Sequence, residues 1–261
     1  MAEHIYGSEQ EFVARMNQRA KDLGMNNTNF INCCGLDVDG HMTTAKDVAL
    51  MSRELIRKYP QIHDYCTIWM ENITHVTKQG TKEFGLSNTN KLLKMATNFE
   101  VTGLKTGSTS LAKYCLSATA RKDGIELIAV ILAAPDYKAR FGDAVTLLNY
   151  GYANCRMYRD EDPGTVPEAP IQNGVKDTVP GRLEGTFSYL SMQGEDFGGI
   201  EKEWVFEETL KAPINEGDII GSLVYRLNGT ELGRVRILAA EYAKQATFFD
   251  ALRQAAGALG V

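Results

Sequence analysis

The stretch that decides the fold spans residues 103–135, GLKTGSTSLAKYCLSATARKDGIELIAVILAAP. Residues 101–121 and 125–134 each read as a strand, and Asp123-Gly124 separates them. Asp-Gly between two such runs is a strong hairpin signal, so the sequence predicts two antiparallel strands joined there. The second run is apolar on both faces, which predicts a central strand that is buried on both sides.

A helix is predicted before this region, over residues 8–23. Phe12, Val13, Met16 and Ala20 recur at helical spacing within it. Ser8 followed by Glu11 is a candidate capping box at its beginning, and Gly24 is a plausible C-cap at its end.

Two further helices are predicted on either side of the strands. The first begins after Thr44, with Asp47 placed to return the capping bond, and it ends at Tyr59-Pro60 because the residue before proline disfavours helix. The other covers residues 139–154, where apolar residues again recur at helical spacing. Residues 26–40 are polar and rich in turn formers, which predicts an irregular loop.

The composition changes at Arg159. Residues 159–170, RDEDPGTVPEAP, hold three of the seven prolines and are the best candidate for a linker. Short alternating runs follow, and Asn228-Gly229 between two of them is a strong hairpin signal. The sequence therefore predicts an α+β chain with a first domain over residues 1–158, a small all-β domain over 159–240 and a helical tail over 241–261.

Composition excludes several classes of protein. The 261 residues are 44% hydrophobic and 23% charged, which is typical of a globular chain. A net charge of -5 argues against a nucleic-acid-binding protein, which usually carries a basic surplus. No apolar run is long enough for a transmembrane helix, and the N-terminus has neither the basic nor the apolar region of a signal peptide.

The cysteines and histidines predict no metal site and no cofactor. None of the five cysteines forms a C-x-x-C pair, and the four histidines are scattered. No Cys-His pairing indicates a catalytic thiol, and Cys115 is predicted to pack as a small hydrophobe.

Lys105-Thr106-Gly107 is the motif that carries chemistry. A strand that presents a lysine, a hydroxyl and then a glycine offers positive charge, a hydrogen-bond donor and close backbone approach to an anionic peptide end. The sequence K-T-G is one of the motifs of serine β-lactamases and penicillin-binding proteins, where it accompanies S-x-x-K and S-D-N. Alone, a solvated strand lysine and a β-forming threonine would also explain it.

The context of the motif resembles the low-molecular-weight penicillin-binding proteins, the D-alanyl-D-alanine carboxypeptidases. The resemblance covers nearly the whole chain. It implies part of a β-lactamase-like transpeptidase domain followed by a β-sandwich domain. The stretches that carry it, besides the one quoted above, are residues 12–56, 87–93 (SNTNKLL), 140–152 and 210–241.

The resemblance implies a serine peptidase that removes the terminal D-Ala of peptidoglycan stem peptides through an acyl-enzyme. Lys105 would be the catalytic lysine of K-T-G, and Thr106 would hydrogen-bond the substrate carboxylate. Gly107 would allow close approach, and the amide of Ser108 would be an oxyanion-hole donor. Arg140 would help to hold the carboxylate, and the less favoured alternative is a surface charge at a helix start.

The nucleophile motif of the family is missing from the matched region. Ser110–Lys113 is the one S-x-x-K match, and it lies within the predicted K-T-G strand and not on a helix, so it is interpreted as coincidence. Ser87-Asn88-Thr89 does not fit S-x-N. We therefore expect an N-terminally truncated carboxypeptidase that is inactive alone; the alternative is a non-catalytic peptidoglycan-binding fragment or module.

The resemblance also implies partners and a location. The expected partners are stem peptides that end in D-Ala-D-Ala and, for full-length members, β-lactams. Residues 247–261 could form a membrane-surface helix, although Arg253 is their one basic residue, and packing on the β domain is an equal alternative. An exposed sheet edge would favour self-association. The family implies an extracytoplasmic place in the cell envelope.

Overall fold

The computed structural model describes residues 1–250, which divide into two compact units, Met1–Ala153 and the unit that begins at Asn154. The elements of the first unit, in chain order, are α1 (Ala2–Tyr6), α2 (Glu9–Asp22), α3 (Ala45–Lys58), α4 (Ile62–Cys66), β1 (Met70–Thr77), β2 (Gly80–Ser87), a 3-10 helix (Lys91–Lys94), β3 (Glu100–Thr109), β4 (Lys113–Lys122), β5 (Ile125–Ala134) and α5 (Ala139–Asn154).

Helices α2 and α3 begin at the predicted caps. The Ser8 hydroxyl accepts a hydrogen bond from the amide of Glu11 at 3.1 Å, and α3 begins in the same way at Thr44. Asp47, however, does not return the capping bond. Its buried carboxylate accepts from the amide of Asn27 at 2.9 Å and the hydroxyl of Thr28 at 2.8 Å. Asp47 therefore ties the irregular loop to α3.

Strands β3, β4 and β5 form an antiparallel sheet in that order. The predicted hairpin at Asp123-Gly124 is confirmed, with both residues at positive φ, +50° and +76°. The prediction of one strand over 101–121 is wrong, because the chain folds back at residues 110–112. The prediction of a central second strand is also wrong, since β4 is central and β5 lies at an edge of this sheet.

The turn between β3 and β4 is held from outside the sheet. Asp37, in the irregular loop, accepts hydrogen bonds from the Thr109 hydroxyl (2.6 Å), the Ser110 hydroxyl (3.2 Å) and the amide of Leu111 (3.2 Å). The first of these bonds lowers the pKa of the Asp37 carboxyl most, against a smaller effect of burial. A distant carboxylate thus stabilises a turn that contains neither glycine nor proline.

The two faces of this sheet have different partners. Leu116 of β4 packs in a buried cluster with Phe141 and Leu148 of α5. The next residue, Ser117, points to the opposite face, where its hydroxyl lies 2.8 Å from that of Ser52 in α3. Helices therefore cover both faces, as in an α+β layer arrangement.

Strands β1 and β2 form a separate two-stranded antiparallel ribbon. Every residue of both strands is exposed, including Ile73 and Phe84, which face each other in register. Neither face of this ribbon is buried.

The second unit consists mainly of short β-strands within the residues the structure describes, with one 3-10 helix at Phe197–Gly199. The strands are β6 (Arg156–Arg159), β7 (Ala169–Pro170), β8 (Thr178–Val179), β9 (Gly181–Leu183), β10 (Ser188–Ser191), β11 (Ile200–Phe206), β12 (Ile219–Leu227) and β13 (Thr230–Ala239). The largest sheet has the antiparallel order β11-β12-β13-β9, and Asn228-Gly229 forms the predicted hairpin between β12 and β13.

Two sequence predictions differ from the structure of this unit. Asp160 lies in the predicted linker, but its side chain is buried and β6 just before it pairs with β10. Residues 241–247 are not helical, because Ala243 pairs with Ile214 as an extended bridge. Residues 251–261 of the predicted helical tail lie outside the described residues.

A buried charged group joins three strands or strand ends of this unit. The Asp160 carboxylate accepts from the Tyr225 hydroxyl and from the Lys202 ammonium, both at 2.7 Å. Burial alone would raise the pKa of Asp160, but the hydrogen bonds from Lys202 and Tyr225 outweigh it and lower the pKa. Tyr225 also stacks on Phe187 with ring centroids 3.9 Å apart.

Candidate functional site

The K-T-G strand, β3, lies at an edge of its sheet, opposite β5. Lys105 and Gly107 are exposed, whereas Thr106 between them is buried. This alternation follows from the strand's period of two. The motif therefore presents the charge of Lys105 and the backbone of Gly107 at the edge of the sheet. Among residues 1–250 no strand pairs with this edge, so an extended peptide could pair there.

Lys105 lies over its own strand, with its Nζ donating to the carbonyl of Thr106 at 2.7 Å. It also lies near Cys66 at the end of α4. Burial raises the pKa of the Cys66 thiol, and the positive charge of Lys105 offsets part of that effect. The ammonium has no carboxylate within salt-bridge distance among the described residues, so its charge remains available to an anion.

Gly107 and Ser108 form the open end of the motif. A Cβ built on Gly107 would meet no atom within 4 Å, so the space beside this backbone is empty. Ser108 is exposed and pairs in register with Tyr114 of β4. The arrangement leaves room for a ligand backbone at Gly107.

Arg140 lies in the first turn of α5 and is 7% exposed, so the alternative of a surface charge is wrong. Its Nη1 donates to the carbonyl of Gly107 at 3.2 Å and to that of Cys115 at 3.3 Å. Its guanidinium lies 4.7 Å from the ring centroid of Phe141. Arg140 thus places a positive charge directly beneath the glycine of K-T-G.

The buried threonine of the motif has a partner that sequence reasoning missed. The Thr106 hydroxyl oxygen lies 2.5 Å from that of Thr89, in the segment 87–93 before β3. No local pattern in residues 87–93 indicates this contact, because Thr89 and Thr106 are 17 residues apart in the chain.

The single S-x-x-K match lies in the turn before β4. The Ser110 hydroxyl donates to Asp37 and Lys113 begins β4 at a φ of +52°. The expectation that this match lies within the K-T-G strand is wrong, because β3 ends at Thr109. The Ser110 hydroxyl bonds to the Asp37 carboxylate and not to Lys113.

No group of three or more His, Cys, Asp or Glu side chains among residues 1–250 could hold a metal ion. The five cysteines are all free thiols. In the same part of the chain, no helix has the length and apolar character needed to cross a membrane.

Comparison with known proteins gives the family. The model described as D-alanyl-D-alanine carboxypeptidase matches residues 1–136, and that of the penicillin-binding protein 5 C-terminal domain matches residues 159–245. The chain belongs to the D-alanyl-D-alanine carboxypeptidase family. The resemblance seen in the sequence, to the low-molecular-weight penicillin-binding proteins, is thereby confirmed, as is the α+β fold class.

Individual carboxypeptidases match most of this chain. It is 35% identical over 260 residues to D-alanyl-D-alanine carboxypeptidase DacF of Bacillus subtilis, covering 98% of this chain and 65% of the relative. DacC of Escherichia coli is 30% identical, with 95% and 60% covered. Penicillin-binding protein 5 of Haemophilus influenzae superposes with a TM-score of 0.65 at 27% identity, covering 94% of this chain and 69% of that structure. The chain thus spans less than two thirds of the length of these two curated relatives.

Proposed function

We propose that this chain carries the substrate-binding wall of a serine-type D-alanyl-D-alanine carboxypeptidase of peptidoglycan metabolism. The observation that carries the proposal is the K-T-G strand at a free sheet edge with the guanidinium of Arg140 beneath its glycine. Its ligand is a stem peptide that ends in D-Ala-D-Ala, and its location is extracytoplasmic, in the cell envelope.

Each motif residue has a role in this proposal. The ligand lies along β3 as an added strand, and the bare backbone of Gly107 lets it approach. Lys105 attracts the terminal carboxylate and favours proton transfer, while the Thr106 hydroxyl donates to that carboxylate. The amide of Ser108 stabilises negative charge that develops on the attacked carbonyl oxygen. Arg140 adds positive charge from below.

In the reaction, a serine oxygen forms a bond to the carbonyl carbon of the D-Ala-D-Ala peptide. The peptide C–N bond breaks, the departing D-alanine amine takes a proton, and water later hydrolyses the ester. The printed sequence supplies no S-x-x-K on a helix for the attacking serine and its base. We therefore propose that these 261 residues alone bind the peptide without forming the acyl-enzyme.

The first experiment measures binding and acylation separately. We expect the 261-residue chain to bind a D-Ala-D-Ala peptide in an NMR titration, with shifts along β3. Lys105→Gln should weaken binding about tenfold or more through the lost charge-assisted contact. Lys78→Gln, in the exposed turn between β1 and β2, is the matched control and should leave the affinity unchanged.

Intact mass after treatment with a fluorescent penicillin tests the catalytic half. An unmodified mass supports the proposal that these 261 residues bind the peptide but do not supply the nucleophile. A covalent adduct on any serine contradicts that proposal. Peptide binding that is equally strong in Lys105→Gln favours the second candidate, a peptidoglycan-binding module that does not use the K-T-G edge. That candidate rests on the mainly β second unit.

Two finer proposals concern surfaces. The free edge of β3 exposes unpaired backbone groups, so we propose self-association through it, which size-exclusion chromatography with and without peptide would test. For the tail, membrane-surface binding and packing on the β unit remain alternatives. Liposome flotation of chains with and without residues 247–261 distinguishes them.

A further inference from the structure

Two asparagines fix the segment that precedes β3. Asn88 donates through its Nδ2 to the carbonyls of Cys66 and Ile68, both at 2.9 Å, which ties the segment to the end of α4. Asn90 is buried, and its Nδ2 donates to the carbonyl of Gly103 in β3 at 3.1 Å. The Asn88 side-chain oxygen also accepts from the amide of Asn90 at 2.9 Å. The residue between them is therefore held against the K-T-G strand from both sides.

That residue is Thr89, whose hydroxyl oxygen lies 2.5 Å from that of Thr106. Each hydroxyl has one proton and can accept from a second donor. If Thr106 donates to Thr89, it has no proton left for a ligand. If Thr89 donates, Thr106 accepts and its own proton points elsewhere. The direction of this one hydrogen bond decides whether Thr106 can serve as a donor.

We propose that Thr89 is a positioning residue for recognition of a peptide carboxylate. It donates to Thr106, and thereby directs the Thr106 proton to the ligand. A carboxylate favours this direction because it only accepts, and a hydroxyl that accepts one hydrogen bond becomes a stronger donor in the next. The inference rests on the proposed function, in which Thr106 contacts the terminal carboxylate.

The arrangement predicts selectivity for a charged chain end. Hydrogen bonds to a charged acceptor contribute about twice as much as those to a neutral one. Loss of the Thr89 hydroxyl should therefore weaken binding of a free-acid peptide more than binding of the same peptide with a C-terminal amide. A role of Thr89 in packing alone would weaken both equally.

The test titrates the full chain with two probes, an N-acetylated peptide ending in D-Ala-D-Ala and its C-terminal amide. Thr89→Val keeps the shape and removes the hydroxyl, whereas Thr89→Ser keeps a hydroxyl. We expect Thr89→Val to lose about fivefold in the acid-to-amide preference, and Thr89→Ser to retain it. Thr146→Val removes a hydroxyl bonded to Gly142 on α5 and should change neither affinity.

Thr106→Val separates the inference from the function on which it rests. If Thr106→Val loses the acid preference but Thr89→Val keeps it, the role of Thr89 is wrong and the carboxylate site stands. If the unmodified chain shows no preference for the acid, the carboxylate site fails and the role of Thr89 with it. Thermal midpoints check folding, and Thr89→Ala takes the place of Thr89→Val if that variant unfolds.

Discussion

Two glycines of β3 give opposite predictions for the same substitution. A Cβ at Gly107 would meet no atom within 4 Å. A Cβ at Gly103 would lie 3.1 Å from the Thr119 hydroxyl and 3.2 Å from the Cβ of Cys66, and Gly103 has a φ of +154°. L-residues rarely adopt this φ, so an added methyl there is strained in the backbone and crowded by a buried neighbour.

The magnitudes follow from these surroundings. Gly103→Ala combines backbone strain of roughly 1–3 kcal/mol with overpacking of about the same size. The first unit has about 150 residues, for which each kcal/mol lowers the thermal midpoint by about 2–4 °C, so the midpoint should fall by roughly 4–24 °C. Gly107→Ala should change the free energy of unfolding by less than about 1 kcal/mol, since alanine suits a strand interior better than glycine.

Peptide affinity should respond to the substitution at Gly107, although the stability of the fold should not. The methyl of Gly107→Ala stands in the empty space where the ligand backbone is proposed to lie, so affinity for the D-Ala-D-Ala peptide should fall about tenfold or more, equal to 1.4 kcal/mol. Denaturant unfolding followed by circular dichroism measures stability, and NMR titration measures affinity. A destabilised Gly107→Ala, or one that binds the peptide as tightly as the unmodified chain, would refute the reasoning.

Three further changes test other parts of the structure. Tyr225→Phe removes a hydrogen bond to the Asp160 carboxylate and should lower the stability of the second unit by about 1.5–3 kcal/mol. Because folding lowers the pKa of Asp160, its ionised carboxylate contributes stability that is fully present above the ordinary pKa of about 3.9 and is lost as the pH falls below it. This loss should be smaller in Tyr225→Phe, and urea midpoints that do not change with pH contradict the prediction. Arg140→Lys should lose the two carbonyl contacts at the K-T-G strand and cost about 1–3 kcal/mol, whereas equal urea midpoints would show that the guanidinium is not needed there. Leu148→Ala, in the buried cluster under β4, should cost about 2–5 kcal/mol in denaturant unfolding, and a cost below 1 kcal/mol would place Leu148 outside the core.

Local signals in the sequence predicted a large part of the fold. The caps at Ser8 and Thr44, the Asp-Gly and Asn-Gly hairpins and helix α5 depend on neighbouring residues alone, and each is confirmed. The turn at residues 110–112 was missed because its stability comes from Asp37, more than seventy residues earlier. A turn without glycine or proline that depends on a distant carboxylate leaves no local pattern to read.

The candidate site likewise has some features that local sequence predicts and others that depend on how distant segments pack. K-T-G is a local motif and was found, but whether Arg140 is buried depends on how α5 packs, and the sequence left that open. Thr89 was missed for another reason. Its position is set by the side-chain bonds of Asn88 and Asn90 to α4 and β3, so the contact with Thr106 exists only after the segment has folded against both.

Asp160 and Tyr225 are buried and share their hydrogen bonds with the partly exposed Lys202, which constrains how these three positions can change in evolution. Loss of Asp160 alone would leave a partly buried ammonium and a buried hydroxyl without their shared acceptor, which is far less tolerable than exchange of all three for apolar residues. The three positions should therefore vary together among relatives. A lineage that carries phenylalanine in place of Tyr225 should also tend to have changed the acid or the lysine.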